Sequence, residues 1–319
     1  MKITLITPAK KHSKNGNRTS ALRWAKFLRE LGHHVSVESL YTRVNTDLMI
    51  ALHAWRSADS ITSYRSQYPN GPLIVALGGT DINTYLKTNP VVTMRSMDLA
   101  DILIGLHDLI KDVLPPRFHN KLHIIKQSAS PLLTPRSPAK RFFDICVVGH
   151  LREEKDPFCA SRALRHIRHE SKLRIIHLGK AHSQNWANKA TSEMVSNPRY
   201  IWKGEVAKWQ VRREFIKTHL MVISSRQEGG ANVVSEAIVA GVPIIASHIP
   251  GNIGILGSDY PGYFPVGNSR ALATLLHRAE SDPRFLELLG SRCHEIRPSI
   301  MPKTEADNWE RVIKLATKK

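Results

Sequence analysis

Short apolar runs recur along this chain, separated by amphipathic or polar stretches. In the first part, Met1–Pro8, His34–Val37, Leu48–Leu52, Leu73–Leu77, Asp101–Gly105 and Leu122–Lys126 read as strands. A helix is expected over Arg18–Leu31, stopped by Gly32, and another from about Arg56. A second series follows with Phe142–Val148, Leu173–Leu178, Tyr200–Trp202, Leu220–Ile223 and Ile244–Ala246. The tail from Lys303 to Ala316 places Trp309, Val312, Ile313 and Ala316 on one helix face. Strands that alternate with helices throughout predict an α/β chain with parallel sheets.

Between the two series lies Ser130–Pro138, with three prolines in nine residues. Proline continues neither strand nor helix, so this stretch predicts a linker. The expected organisation is a first domain over 1–130, a linker over 131–141, a second domain over 142–300, and a final helix over 301–319 that crosses back to the first domain. The 319 residues suffice for two domains with separate cores. Two doubly wound sheets facing a central cleft would bring both sets of strand carboxyl ends together, where such folds bind ligands.

No apolar run approaches the ~20 residues that span a bilayer. The start of the chain reads as a strand and is too short for a signal peptide. Three cysteines, an odd and low number, fit a reducing cytoplasmic setting without a disulfide framework. Cys146 falls in a strand, and Cys159 and Cys293 fall on expected helices, where buried thiols are inert. The net charge of +19 is compatible with nucleic acid, a membrane surface or small polyanions. The basic residues are dispersed, without a block or an aromatic platform, which argues against nucleic acid.

The most informative stretch is Ser225–Ala237. It follows the buried strand Leu220–Ile223 and opens a helix that stops at Gly241-Val242-Pro243. Glu228 sits in the turn with Gly229 and Gly230; Ala231 and Asn232 lead into the helix, which carries Glu236. A helix amino end stabilises an anion. A nucleotide diphosphate sugar fits: diphosphate on the amides, one acid for ribose hydroxyls, the other for hexose hydroxyls. The bland alternative is a glycine turn with two solvated acids. The spacing resembles the Glu-x7-Glu motif of retaining glycosyltransferases of family 4, whose GT-B fold pairs two Rossmann-like domains.

Other stretches extend the resemblance. Gly149–Pro157 is similar to the family's Gly-Arg-Leu-x-x-Glu-Lys segment, which holds the donor diphosphate. Lys155 matches its lysine, His150 replaces its arginine, and Arg152 is available as a substitute cation. Such a cation would stabilise the departing diphosphate. Gly204, in Trp202–Val206, resembles the glycine that lies near the base; Gly179 is a further glycine at a strand end. In the first half, Lys14–Thr19 joins cations and a glycine at a helix start, suited to a second anion. His53 and Arg56 follow a strand. Gly78-Gly79-Thr80-Asp81 resembles the family's His-Gly-Thr-Asp, with Gly78 in place of histidine. The plainer readings are a structural histidine at 53 and a helix cap at Asp81.

Taken with Asn15–Ala25, Ala51–Ala58 and Asp259–Pro265, these segments resemble the selenosugar synthase family of selenoneine biosynthesis over nearly the whole chain. That resemblance implies transfer of the sugar of UDP-N-acetylglucosamine or UDP-glucose to selenophosphate, giving a 1-seleno sugar, UDP and phosphate. It implies a catalytic set of Lys155, Arg152, Glu228, Arg18 and His53. His150, Gly204, Glu228, Gly229, Gly230, Ala231, Asn232 and Glu236 would bind the UDP-sugar. Lys14, Asn17, Arg18, Arg56, Gly79, Thr80 and Asp81 would bind selenophosphate in the first domain. No metal or cofactor is expected: the histidines show no ligand spacing, and Asp98–Asp101 is not a metal-binding Asp-x-Asp. An anionic selenium nucleophile needs little general-base help, which suits Gly78 in place of histidine. The rivals are a family 4 enzyme with an ordinary sugar or small-molecule acceptor, a non-hydrolysing UDP-sugar epimerase, and a nucleic-acid-binding protein.

Overall fold

A computed structural model describes residues 1–11 and 16–318 of the chain. Among these residues two six-stranded sheets form, and every pairing between neighbouring strands is parallel. The first contains β1 (Lys2–Ile6), β2 (His34–Glu38), β3 (Leu48–Leu52), β4 (Leu73–Ala76), β5 (Ile102–Gly105) and β6 (Leu122–Ile124), in the order β2-β1-β3-β4-β5-β6. The second contains β7 (Phe143–Val148), β8 (Leu173–Leu178), β9 (Tyr200–Trp202), β10 (Leu220–Ile223), β11 (Ile244–Ser247) and β12 (Tyr263–Phe264), in the order β12-β11-β10-β7-β8-β9. Each sheet is built outward from its first strand in both directions. The reversal falls between β1 and β3 in one sheet and between β7 and β10 in the other. At such a reversal the loops at the strand carboxyl ends diverge and leave room for a ligand.

The packing follows from side-chain alternation along each strand. In β3, Leu48, Ile50 and Leu52 join the core formed with the first helix, Gly16–Glu30, while Met49 and Ala51 join the core on the opposite face. The first core also takes Trp309, Val312, Ile313 and Ala316 from the last helix, Pro302–Ala316. Trp24 and Trp309 meet there with ring centroids 4.9 Å apart. Each such buried aromatic or aliphatic side chain stabilises the fold by about 1.5–3 kcal/mol. No helix among the described residues is long and apolar enough to cross a membrane.

The chain divides into two compact units, one of Met1–Ser128 with the segment from Pro302 onward, the other of Ala129–Met301. The proline-rich stretch is fastened to the second unit. The Arg136 guanidinium donates to the carbonyls of Phe215, Thr218 and Gly241, and the amides of Ser137 and Ala139 donate to Ile216 and Lys217. Proline blocks regular structure here, but the carbonyls at the end of the Lys208–Lys217 helix supply acceptors for the arginine.

In the first unit Glu305 is buried and accepts from the Arg23 guanidinium (2.9 Å), Trp24 Nε1 (2.7 Å), the Ser128 amide (2.8 Å) and the Ser128 hydroxyl. One carboxylate thus joins the first helix, the last residue before the chain leaves the unit, and the helix that begins where it returns. Removing it leaves buried donors unpaired. Glu305→Ala should therefore cost about 3–5 kcal/mol in urea denaturation, the range for breaking a buried charge pair. A loss below about 1 kcal/mol would show that water replaces the carboxylate.

Candidate functional site

In the second unit the loops after β7 and β10 are locked to each other at the strand reversal. After β7 the chain makes a tight turn at Glu153–Lys155 and then places Asp156 in the left-handed region, with φ of 40°. Asp156 holds this conformation by accepting from Arg162 at 2.8 and 3.0 Å. After β10, the Ser224 hydroxyl lies within hydrogen-bond reach of the carbonyls of Lys155 and Asp156, and the Arg226 amide donates to Glu154 at 2.8 Å. These contacts bring Lys155 Nζ against Glu228 Oε1, an oxygen that also accepts from the Ser225 hydroxyl at 2.6 Å. Ser225 is held in turn: its carbonyl accepts from Ser247 at 2.6 Å, and Asn252 donates to the Ser247 carbonyl at 2.9 Å.

The same loop runs into the Asn232–Val239 helix, with Ala231 as N-cap. An alanine side chain offers the first turn no acceptor. Glu236, one turn further along, lies 3.9 Å from Lys208 Nζ. With Lys208, Arg212, Phe215 and Ala240 it lines a small depression.

His150 is held by a different set of contacts. Its Nδ1 accepts from the Lys180 amide at 3.1 Å, so in the neutral ring the proton sits on Nε2. Burial, followed by the charges of His182 and Arg152, lowers its pKa from the ordinary histidine value. Where an arginine was the reference, this chain thus presents a neutral donor. Arg152 lies nearby, with its Nε 3.8 Å from Glu154. Gly179 makes the arrangement possible: a Cβ there would fall 1.9 Å from the Gly149 carbonyl oxygen and 3.0 Å from the His150 amide. Beneath, His177 Nε2 donates to the Gly149 carbonyl at 3.0 Å, and its Nδ1 accepts from the Tyr200 hydroxyl at 2.9 Å. The Gly204 carbonyl accepts from the Gly179 amide at 2.8 Å, so Gly204 enters the site through its backbone.

In the first unit the structure brings together His53, Thr80 and Asp81, with Gly79 between the strand end and Thr80. Asp81 was expected at the acceptor, with a helix cap as the plainer reading. It is fully buried, and its oxygens accept from the amides of Ala54 (2.9 Å), Trp55 (3.0 Å) and Gly78 (2.8 Å), while Oδ1 lies 2.6 Å from His53 Nδ1. It fastens the loop after β3 to the loop after β4. His53, 1% exposed, likewise lies beneath the surface. Arg56 is exposed beyond it, and Trp55 stacks on Tyr85 with centroids 4.0 Å apart. Arg18 is buried and Asn17 half-buried at the start of the first helix. Lys14 lies outside the described residues. Ser225 and Ser247 were missed in the sequence, where serine beside a glycine turn carries no distinguishing signal.

Residues 135–295 match the family model for the glycosyl transferases of group 1. The chain belongs to this family. This glycosyltransferase is 24% identical over 282 residues to TuaC of Bacillus subtilis (strain 168), provisionally assigned to teichuronic acid biosynthesis; the match covers 82% of this chain and 68% of that protein. Its fold is similar to that of Anabaena HepE solved with UDP, with a TM-score of 0.81 and 14% identity over 99% of this chain and 100% of that one. It is also similar to the sucrose-phosphate synthase of Thermosynechococcus elongatus, with a TM-score of 0.79 and 15% identity over 98% of each chain. The two parallel sheets are the GT-B architecture.

Two expectations follow for this glycosyltransferase. Gly179→Ala should lower stability by about 1–3 kcal/mol in thermal or urea melts, because backbone must move to admit the methyl. An unchanged melting curve would show that the Gly149 turn yields freely. The second concerns acid. Burial pushes His177 and His107 down to about 4. Below the unfolded-state value of 6.5 the unfolded chain binds protons that the folded chain refuses. The stability present above that value is therefore lost as pH falls toward about 4. His177→Gln should reduce this acid-side loss by up to roughly 3 kcal/mol in melts across that window; an unchanged slope would remove His177 from the account.

Proposed function

We propose that this glycosyltransferase uses a UDP-sugar, UDP-N-acetylglucosamine or UDP-glucose, as donor and selenophosphate as acceptor. The observation that carries the donor half is the Lys155–Glu228 pair at the β7/β10 reversal, in the loop that runs into the amino end of a helix. Lys155, Arg152, His150 and the backbone at Gly229, Gly230, Ala231 and Asn232 hold the diphosphate and stabilise departing UDP. Glu228 orients the hexose and Glu236 the ribose, with Gly204 near the base. HepE, a structural relative, was solved with UDP and with UDP-glucose, which supports this class of donor.

The acceptor half rests on the resemblance to selenosugar synthases and on cationic Arg18 and Arg56 in the N-terminal unit. The C1–O bond to UDP breaks and a C1–Se bond forms; water then cleaves P–Se, releasing phosphate and the 1-seleno sugar. A second reading, an ordinary hydroxyl acceptor, is favoured by the imidazole of His53 beside Thr80, since a hydroxyl must lose a proton.

The test is mass spectrometry of products from either UDP-sugar with selenophosphate, with thiophosphate, and with no acceptor. A selenium-bearing sugar with stoichiometric UDP is the expected result; UDP release without it would move the acceptor to the second reading. Lys155→Ala should lower kcat/KM for the UDP-sugar by about 10²-fold, as for loss of one charge-stabilising donor. Full turnover of that variant at limiting UDP-sugar would refute the donor assignment.

A further inference from the structure

The contacts of His53 form a chain that runs beyond the carboxylate anchoring its loop. Its Nδ1 lies 2.6 Å from Asp81 Oδ1 and 3.4 Å from the Arg56 amide. Both amide and ring cannot donate across the longer contact, and the short carboxylate contact places the proton on Nδ1. Nε2 is then an acceptor, and the Thr80 hydroxyl lies 2.6 Å from it. Thr80 is half-buried and occupies the N-cap position of the Asp81–Tyr85 turn, yet its hydroxyl caps no amide there. The sequence runs from a buried carboxylate through a buried imidazole to the hydroxyl of a half-buried threonine. The Tyr85 ring stands beside His53 with centroids 5.8 Å apart, and Arg56, three residues on, is exposed.

Two further features show that this geometry is enforced. His53 has φ of 84°, a conformation unfavourable for a non-glycine residue. Asp81 imposes it by taking the next two amides, Ala54 and Trp55. Gly78 leaves space for the ring: a Cβ there would lie 2.9 Å from His53 Cδ2. The imidazole that Gly78 lacks is thus supplied from β3.

We propose that Asp81, His53 and Thr80 form a proton relay for the acceptor. This rests on the reading that the N-terminal unit holds the acceptor. As the acceptor atom bonds to C1 and the C1–O bond to UDP breaks, the acceptor proton passes to Thr80 Oγ and the Thr80 hydroxyl proton passes to His53 Nε2. The imidazolium, held by Asp81, returns the proton to solvent after UDP departs. Thr80 is the catalytic residue; His53 and Asp81 act through it. The relay serves the last proton of an anionic chalcogenophosphate and that of a hydroxyl alike.

The experiment compares wild type, Thr80→Val and Thr80→Ser for UDP release, using both UDP-sugars with selenophosphate, thiophosphate and a panel of hydroxyl acceptors. UDP affinity is measured alongside by calorimetry. Thr80→Val should bind UDP as wild type does and lose about 10²-fold in kcat, the usual worth of acid–base assistance, together with the acid limb of the kcat–pH profile. Thr80→Ser should restore most of both. Wild-type turnover with Thr80→Val within about threefold and the acid limb intact would overturn the relay and leave the departing diphosphate as the base. Absence of UDP release by wild type with every pairing would overturn the functional reading itself, and the relay with it.

Discussion

A carboxylate withdrawn from water must be met by donors or it destabilises the fold. Glu305 and Asp81 are both fully buried, and each is met by donors from segments far apart in the chain. Glu305 fixes where the chain leaves and re-enters the N-terminal unit. Asp81 fixes the ends of β3 and β4 relative to each other. Apolar burial assembles the sheets, but it is indifferent to small shifts of a loop; a carboxylate with three or four donors at fixed positions is not. The loops at the ends of β3 and β4 are therefore held in one arrangement by Asp81.

The same logic explains where the backbone is strained. His53 and Asp156 both take left-handed conformations in loops that follow a strand at a sheet reversal, β3 and β7. Each is bracketed by charge-assisted hydrogen bonds, to Asp81 in the first case and from Arg162 in the second. Strain of this kind persists only when its surroundings over-determine it. In one loop the strained residue follows Lys155, which meets Glu228; in the other the strained residue is His53 itself, whose ring meets Thr80.

Much of this was legible in the sequence and some could not be. Strands buried on both faces leave near-continuous apolar runs, so the two series of β/α elements stood out. Lys155 and Glu228 stood out because each belongs to a local motif following a strand. The His53–Thr80 contact joins residues 27 apart, and its meaning depends on which neighbour of Gly78 fills the space of the missing side chain. Asp81 was placed at the acceptor through the resemblance of its segment to His-Gly-Thr-Asp; only the folded structure reveals that its oxygens accept from three backbone amides. Arg136 was hidden for the converse reason: prolines signal irregular backbone, but not whether a side chain between them anchors it.

The Lys155–Glu228 pair also constrains how the proposed donor would enter. A lysine engaged by a carboxylate is not yet aimed at a diphosphate, and a carboxylate engaged by a lysine and Ser225 is not yet aimed at a sugar. A UDP-sugar supplies both missing partners at once: phosphate oxygens for the ammonium and hydroxyls for the carboxylate. Such an exchange would keep each charge compensated, so neither group would pass through an unpaired state in a partly buried site. A neutral His150 beside this pair fits the same economy, because it adds a donor without adding a charge that would need a partner before the donor arrives.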